Sequence, residues 1–273
     1  MQAMTDAAAW SHAADSARRI GRAVEFHATI GSTNDRARAA LREAGGDGLA
    51  VVADEQLAGR GRRGRSWISP PGVNLMVSVG LHPNGDDRLL RQLGFAAALA
   101  VHRACSAVAP RAELAIRWPN DVVDDQGRKV AGLLVETALE DGRLAEAVIG
   151  IGINVNWWRA EMPPEIGDRA TSLAELSGAP IDRVALLSRL LSALDDEVSR
   201  LERGISPVPR LRQHSWLDGC RVEIDTGDSL LAGRVIGFDD DGGLLLEHDG
   251  QISALTVGEV VRVQDPMSAA APR

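Results

Sequence analysis

The chain has 273 residues, 45% hydrophobic and 25% charged, with a net charge of −8. This profile is typical of a soluble globular protein with one large domain, or one medium domain and a small appendage. The acidic charge disfavours a general binder of nucleic acid or of an anionic membrane, because either would need a basic surface. Any anion site must therefore be local.

Cysteine use and apolar runs both point to a cytoplasmic protein that is not bound to a membrane. Cys105 and Cys220 lie far apart and outside any CxxC pattern, and Cys105 falls in an apolar helical stretch typical of a buried, inert thiol. No apolar run approaches the roughly 20 residues of a membrane span. The N-terminal stretch contains acids and no continuous apolar core, unlike a secretory signal.

Periodicity and turn residues predict alternating strands and helices upstream of Trp216. The predicted elements are a strand at 23–31, a helix from Ser32 or Thr33 to the Gly45-Gly46 pair, a strand at 48–56, a loop at 57–72, a strand at 73–81, a helix at 87–108, a strand at 114–118, a hairpin at 122–139, a strand at 146–156 and a helix at 182–204. Antiparallel-looking strands mixed with helices indicate an α+β fold with a central mixed or antiparallel sheet and flanking helices.

Short alternating strands broken by Gly and Asp follow from Gly219 onward, as in a small β-barrel. We therefore expect four parts. They are a flexible segment at 1–22, a main domain at 23–216, a barrel at 217–266 and a disordered tail at 267–273.

The densest local signal is GRGRRGRSW, from Gly59 to Trp67, called the arginine loop below. Its glycines let backbone N–H groups face one centre, and its guanidinium groups supply bidentate donors for phosphate or carboxylate. A solvated basic loop or an RNA-contacting Arg-Gly segment is the alternative. The stretch is neither a Walker A loop nor a dinucleotide fingerprint opening a helix. Its arginines are Arg60, Arg62, Arg63 and Arg65.

Lys129 is the only lysine among 30 basic residues. A hairpin turning at Gln126-Gly127 would bring it close to Asp121 in the RWPND stretch, and that carboxylate would keep the ammonium charged and directed. A surface lysine is the alternative, but a compact charge on a flexible stem suits a place where a planar guanidinium would not fit. Asn120 and Asp121 could serve a Mg²⁺ site, although an ordinary Asx turn also explains them.

Two further stretches carry polar groups at element ends. GIGINVN, from Gly150 to Asn156, is a strand whose glycines permit close approach by a ligand or another backbone. A tightly packed core strand explains its apolar residues equally well, but explains its asparagines less readily. STN, at 32–34, places hydroxyls and an amide at a helix start, where helix capping is the simpler explanation.

Taken in order, STN, EQLAGRGRRGRSW, RWPND, RKVAGLLVE and GIGINVN resemble the motif pattern of biotin–protein ligases, from about residue 24 to 156. The resemblance implies a class II synthetase-like core with a small C-terminal barrel. It implies that biotin and ATP form biotinyl-5′-AMP and pyrophosphate, and that biotin then passes to a lysine of a carboxylase's biotin carboxyl carrier domain. Fewer than about 25 residues precede the first strand, so we expect a short form without a DNA-binding domain.

The resemblance also assigns roles to residues. Lys129 and Arg62 are catalytic, and Asp121 holds Mg²⁺. The implied biotin-binding residues are Ser32, Thr33, Asn34, Gln56, Arg60, Gly61, Arg62, Lys129 and Gly132. The implied ATP-binding residues are Arg60, Arg62, Arg63, Arg65, Trp67, Asn120, Asp121, Lys129 and Asn154. The arginine loop is expected to order on binding.

Some positions depart from the family pattern or stay unassigned. Arg117 stands where the family usually has Lys, and Ala131 replaces a frequent Gly. The loop that closes over the adenylate is expected within 161–176, with Trp157 and Trp158 as an aromatic wall. The chain is expected to be a monomer or weak homodimer that docks the carrier domain.

Three other functions compete with this prediction. A lipoate or octanoate ligase or transferase has a similar fold, but the arginine loop and the C-terminal barrel favour biotin. An RNA-binding module is disfavoured by net charge and by only 3% aromatic residues. A non-catalytic carboxylase-binding protein would not need Lys129, Asp121 and the arginine loop together.

Overall fold

The computed structural model describes residues 9–10, 13, 19–84, 87–140 and 143–264. The strands of its larger sheet are β1 (Val24–Ile30), β2 (Ala50–Gln56), β3 (Leu75–Leu81), β4 (Leu114–Arg117), β5 (Asp121–Asp124), β6 (Lys129–Glu140) and β7 (Arg143–Ile153). The helices in these ranges are α1 (Thr33–Ala40), α2 (Asp87–Val108), α3 (Pro164–Gly167), α4 (Leu173–Ser177), α5 (Arg183–Glu202) and α6 (Val208–Gln213). The predicted α+β class is confirmed.

The larger sheet is mixed, with the order β1-β2-β3-β7-β6-β5-β4. Its β1–β2 pair is parallel and its other pairs are antiparallel. Successive side chains of a strand point to opposite faces, so Val51 and Val148 pack with α1, while Val52 joins the main core with α2 and α5. The α1 face of β7 also carries Gly150 and Gly152, in register with Val148.

Part of the N-terminal segment belongs to this core. Trp10 is fully buried, stacks on Phe26 with ring centroids 5.6 Å apart, and lies under the Arg183 guanidinium. Ala13 and Ile20 are buried as well. These apolar contacts hold the chain at positions where a flexible segment was expected. The other residues of that segment up to 18 lie outside the described ranges, as does the tail at 267–273.

The C-terminal strands β8 (Arg221–Asp225), β9 (Leu230–Phe238), β10 (Leu244–His248), β11 (Gln251–Leu255) and β12 (Glu259–Gln264) form an antiparallel sheet. Its order is β11-β10-β9-β8-β12, and no ladder joins the two edge strands in the described residues. The strands predicted as a small barrel therefore form an antiparallel sheet that no ladder closes in the described residues, since the spacing of strands along the chain does not specify whether the two edge strands pair. Phe238 and Leu244 of this sheet belong to the same apolar core as the larger sheet.

The burial of Cys105 and the composition of the helices agree with two predictions from the sequence. Cys105 is fully buried, and burial raises the pKa of its thiol to about 12, as expected for an inert cysteine. Across the described part of the chain, every helix is too short or too polar to cross a bilayer.

A histidine pair between α2 and the end of α6 should make stability pH-dependent. The rings of His102 and His214 lie 4.3 Å apart, and His102 Nε2 hydrogen-bonds to the Leu114 carbonyl at 2.9 Å. Burial lowers the pKa of both rings below 6.5. Unfolding therefore takes up protons at these two histidines. Their contribution to the free energy of unfolding should be complete above pH 6.5 and should fall as the pH drops below 6.5.

The measurement is denaturant unfolding at about pH 7.5 and about pH 5.5. The double variant His102→Asn/His214→Asn should lose less stability on acidification than the wild-type chain. Because the variant keeps His82 and all carboxylates, their titration cancels in the comparison. Equal losses in both proteins would contradict the prediction.

Candidate functional site

A cavity of about 850 Å³ lies on the α1 face of the larger sheet. Its walls come from the start of α1, the end of β2, the arginine loop, the turn before β5, the middles of β6 and β7, the loop at 163–170 and the start of β12. All of the predicted site residues lie in the described ranges. Those that line the cavity are Ser32, Thr33, Asn34, Gln56, Arg60, Gly61, Arg62, Arg65, Trp67, Asn120, Asp121, Lys129, Gly132 and Asn154. Arg63 does not line it.

One end of the cavity is a buried polar network. Gln56 Oε1 accepts from the Thr33 backbone N–H at 2.8 Å and faces Thr33 Oγ1 at 3.0 Å. Ser78 Oγ lies 2.7 Å from Thr33 Oγ1 and donates to Asn34 Oδ1 at 2.6 Å. Asn34 Nδ2 donates to Glu136 Oε2 at 2.6 Å, which fixes the orientation of its amide. Ser32 caps α1 by position, without a side-chain hydrogen bond.

The strand glycines are required by side chains that approach the sheet. Gly132 and Gly152 are cross-strand partners on β6 and β7, and together they make room for the Trp67 ring. A Cβ on Gly152 would lie 2.5 Å from Trp67 ring atoms, and one on Gly132 would lie 2.5 Å from Lys129 Nζ. Gly150 gives the same room to the Asn34 amide. Trp67 therefore forms part of the cavity wall.

The predicted contact between Lys129 and Asp121 is present. Lys129 Nζ lies 2.7 Å from Asp121 Oδ1 and 5.5 Å from the centre of the Trp67 ring. Arg117 Nη2 lies 2.9 Å from Asp121 Oδ2. Burial alone would raise the pKa of Asp121, but the charges of Lys129 and Arg117 outweigh it and lower the pKa. Asp121 therefore stays ionised and directs the ammonium along the cavity wall.

The same contacts argue against Asp121 as a magnesium ligand, because each of its oxygens already faces a cation. Nor do the described residues contain a group of three or more His, Cys, Asp or Glu that could hold a metal. In nucleotide sites magnesium usually keeps several of its waters and takes one or two carboxylates together with the substrate phosphates. A magnesium ion at Asp121 would have to share this carboxylate with Lys129 and Arg117, and the magnesium role stays a prediction.

The arginine loop faces the cavity with its first two arginines. Arg60 forms a bidentate pair with Asp35 on α1, at 2.6 and 2.8 Å, and lies 3.6 Å from Glu136. Arg62 Nη1 contacts Asn120 Oδ1 at 3.3 Å and the Gly258 carbonyl at 3.4 Å. Arg62 forms no ion pair with any described residue, and burial lowers its pKa. Because no described carboxylate forms an ion pair with it, this guanidinium is suited to an anionic ligand.

Some cavity residues carried no usable sequence signal. Ser78 sits in the stretch VNLMVSVGL, whose alternation predicts a strand but assigns this serine no role, and Glu136 ends the RKVAGLLVE stretch without a role predicted for it. The segment at 163–170 falls inside the region expected to close over the adenylate, and it supplies Glu165 and Arg169 to the cavity. Of the two tryptophans predicted as an aromatic wall, Trp157 lines the cavity and Trp158 does not.

Comparisons with known proteins agree with this geometry. A model of the Biotin/lipoate A/B protein ligase family matches residues 27–154. A biotin–[acetyl-CoA-carboxylase] ligase from Mycobacterium tuberculosis is 33% identical over 252 residues, covering 89% of this chain and 90% of that protein. The chain belongs to the biotin–protein ligase family.

Other biotin–protein ligases match over a similar length. The bifunctional ligase/repressor BirA of Bacillus subtilis is 32% identical over 88% of this chain and 74% of its own. The structure of a biotin protein ligase from Aquifex aeolicus in complex with biotin and ATP has a TM-score of 0.75 and 30% identity, covering 88% of this chain and 98% of that one. Membership of this family leaves the RNA-binding and non-catalytic alternatives without support.

Proposed function

We propose that this chain activates biotin with ATP to give biotinyl-5′-AMP and pyrophosphate, and then transfers the biotinyl group to a lysine of a biotin carboxyl carrier domain. The observation that carries the proposal is the Lys129 ammonium, held at 2.7 Å by Asp121 in the wall of a cavity that also receives Arg62. A cavity wall that presents the cations of Lys129 and Arg62 fits a reaction in which the substrate carboxylate is itself the nucleophile.

The two ends of the cavity suit the two ends of biotin. The ureido head carries donors and an acceptor, and the network of Thr33, Asn34 and Gln56 presents polar groups that are already oriented, with Ser32 beside them in the cavity wall. The carboxylate would then lie towards Lys129, beyond the Trp67 ring. Arg60, Gly61 and Gly132 would flank the ligand between these ends.

The nucleotide would occupy the part of the cavity near Asn120 and Asn154. A biotin carboxylate oxygen attacks the α-phosphorus of ATP, the bond from that phosphorus to the bridging oxygen breaks, and pyrophosphate leaves. The chain's task is to hold two anions together and to stabilise the charge that develops between them. Lys129 can approach both the carboxylate and the α-phosphate, while Arg62 supplies a second cation.

In the second step, the neutral amine of the carrier lysine attacks the biotinyl carbonyl carbon. The bond to AMP breaks, AMP leaves with the electron pair, and the amine loses its proton to solvent. The proposed setting is the cytoplasm, with the chain acting as a monomer or weak homodimer. The net charge of −8 disfavours a role in DNA binding.

The direct test is ligand-dependent ATP–pyrophosphate exchange without any acceptor, with biotin and lipoate supplied separately. We expect exchange with biotin and none with lipoate, because the polar network offers a ureido head partners that a dithiolane ring cannot use. Exchange with lipoate alone would overturn the roles given to Gln56 and residues 32–34. Exchange with neither would overturn adenylate formation.

A further inference from the structure

The outer face of the arginine loop is tied to the C-terminal sheet. Arg63 Nη1 lies 2.6 Å from Asp225 Oδ2 and 3.7 Å from Glu259 Oε2, and Arg63 Nη2 donates to the Asp225 carbonyl at 3.0 Å. Arg65 Nη1 lies 2.7 Å from Glu259 Oε1. The adjacent Gly258 carbonyl faces Arg62. One short segment at the start of β12 thus contacts three arginines of the loop.

The two acids are placed so that they need a cation between them. Asp225 ends β8, Glu259 begins β12, and the two residues are direct cross-strand partners. Like charges in this position destabilise a sheet, and Arg63 relieves the repulsion by facing both carboxylates. The backbone N–H of Gly227 donates to Asp225 Oδ1 at 2.7 Å, which holds this carboxylate towards the loop. The Gly227 N–H and then Arg63 lower the pKa of Asp225.

The backbone of the arginine loop explains why its arginines point in two directions, towards the cavity and towards the C-terminal sheet. Arg63 has φ of +54°, a left-handed conformation that is costly for a residue other than glycine and persists only where its surroundings hold it. This turn sends Arg62 towards the cavity and Arg63 towards the C-terminal sheet. Arg63 does not line the cavity, and Arg65 meets Glu259 at its rim.

We infer that Asp225 and Glu259 are positioning residues, which hold the arginine loop over the cavity through Arg63 and Arg65 and leave Arg62 to meet the nucleotide. The inference rests on the proposed function for its effect on ATP, but not for the anchoring itself. It replaces the expectation that Arg63 and Arg65 bind phosphate, and it gives the C-terminal sheet a defined task in the reaction.

The kinetic test compares Asp225→Asn and Glu259→Gln with the wild-type chain in biotin-dependent exchange. Each change should raise the KM for ATP about fivefold, the scale of one exposed ion pair, while kcat changes by less than about twofold. The matched control is Glu223→Gln, which removes another ion pair between the same two strands, Glu223 with Arg262 at 3.7 Å. That control should leave the KM unchanged.

Coupling between the loop and the sheet gives a second kinetic readout. If Asp225 acts through Arg63, the double variant Arg63→Gln/Asp225→Asn should raise the KM for ATP no more than the worse single variant does. A lower KM in Asp225→Asn or Glu259→Gln would mean that the released arginines bind phosphate themselves, and would overturn the inference. An unchanged KM in both variants would overturn it as well.

A third readout does not depend on activity. Trypsin cleaves after arginine, so the rate of cleavage within 60–65, followed by mass spectrometry without ligands, reports how firmly the loop is held. Asp225→Asn and Glu259→Gln should speed that cleavage about fivefold, and Glu223→Gln should not. Equal cleavage rates in all proteins would overturn the anchoring. This result does not depend on activity, so it would be distinguishable from a failure of the proposed function, in which no protein supports exchange.

Discussion

Lys129→Ala is expected to reduce the rate of biotin-dependent ATP–pyrophosphate exchange by about 10²–10³-fold, the cost of removing one group that stabilises charge in a transition state. Lys129→Arg is expected to reduce it by at least about tenfold, although the charge is kept. The reason is space. The ammonium sits between Asp121 and the Trp67 ring, and its stem lies where a Cβ on Gly132 would come within 2.5 Å. A planar guanidinium at this point must displace one of these neighbours.

Arg117→Lys is the matched control, because Arg117 contacts the other oxygen of the same Asp121 carboxylate. A compact cation can replace a guanidinium there, so this change should be much milder than Lys129→Arg. The measurement is single-turnover formation of biotinyl-5′-AMP, which separates the chemical step from product release. Near-normal rates for Lys129→Arg would contradict the idea that this position needs an ammonium.

Local patterns were enough to predict the hairpin and the contact it creates. The turn at Gln126-Gly127 and the alternation on either side of it determine the pairing of β5 with β6, and pairing determines that Lys129 meets Asp121. The strong periodicity of α2 and α5 likewise predicted both helices within a few residues. In each case the signal lies within one stretch of chain, where turn chemistry and spacing act directly.

Long-range side-chain partners could not be predicted in this way. Arg63 and Asp225 are 162 residues apart, and Asn34 and Glu136 are 102 apart. Such pairs depend on how whole elements pack, which no local pattern records. Trp10 illustrates the same limit, since an Ala-rich polar surrounding hid a side chain that is fully buried.

Short helices were missed, and the pairing of the C-terminal strands was not resolved, for related reasons. Helices α3, α4 and α6 have 4 to 6 residues, too few to show a 3.6-residue period, and two of them begin at or beside prolines. The C-terminal strands were located by their alternation, but alternation does not reveal which strands pair. The pairing of Asp225 with Glu259 therefore emerged only from the fold.

Gly152→Ala should reduce the kcat/KM of exchange for biotin by about 10²-fold, the cost of about 1 Å of misplacement near the reacting groups. The added methyl would lie 2.5 Å from two atoms of the Trp67 ring, so the ring must leave its place against β7. Trp67 also faces Lys129, so its shift would disturb the part of the cavity wall beside the proposed position of the biotin carboxylate. The measurement is exchange at varied biotin concentration, together with thermal unfolding.

Gly94→Ala provides the comparison, because a Cβ there meets only Val135 at 4.0 Å. Gly94 lies inside α2, where alanine is favoured over glycine by roughly 0.5–1 kcal/mol, so that variant should be active and slightly more stable. A biotin-dependent rate for Gly152→Ala equal to that of Gly94→Ala would show that Trp67 moves aside without consequence. In that case the paired glycines on β6 and β7 would serve packing alone, and Trp67 would lose its place in the proposed site.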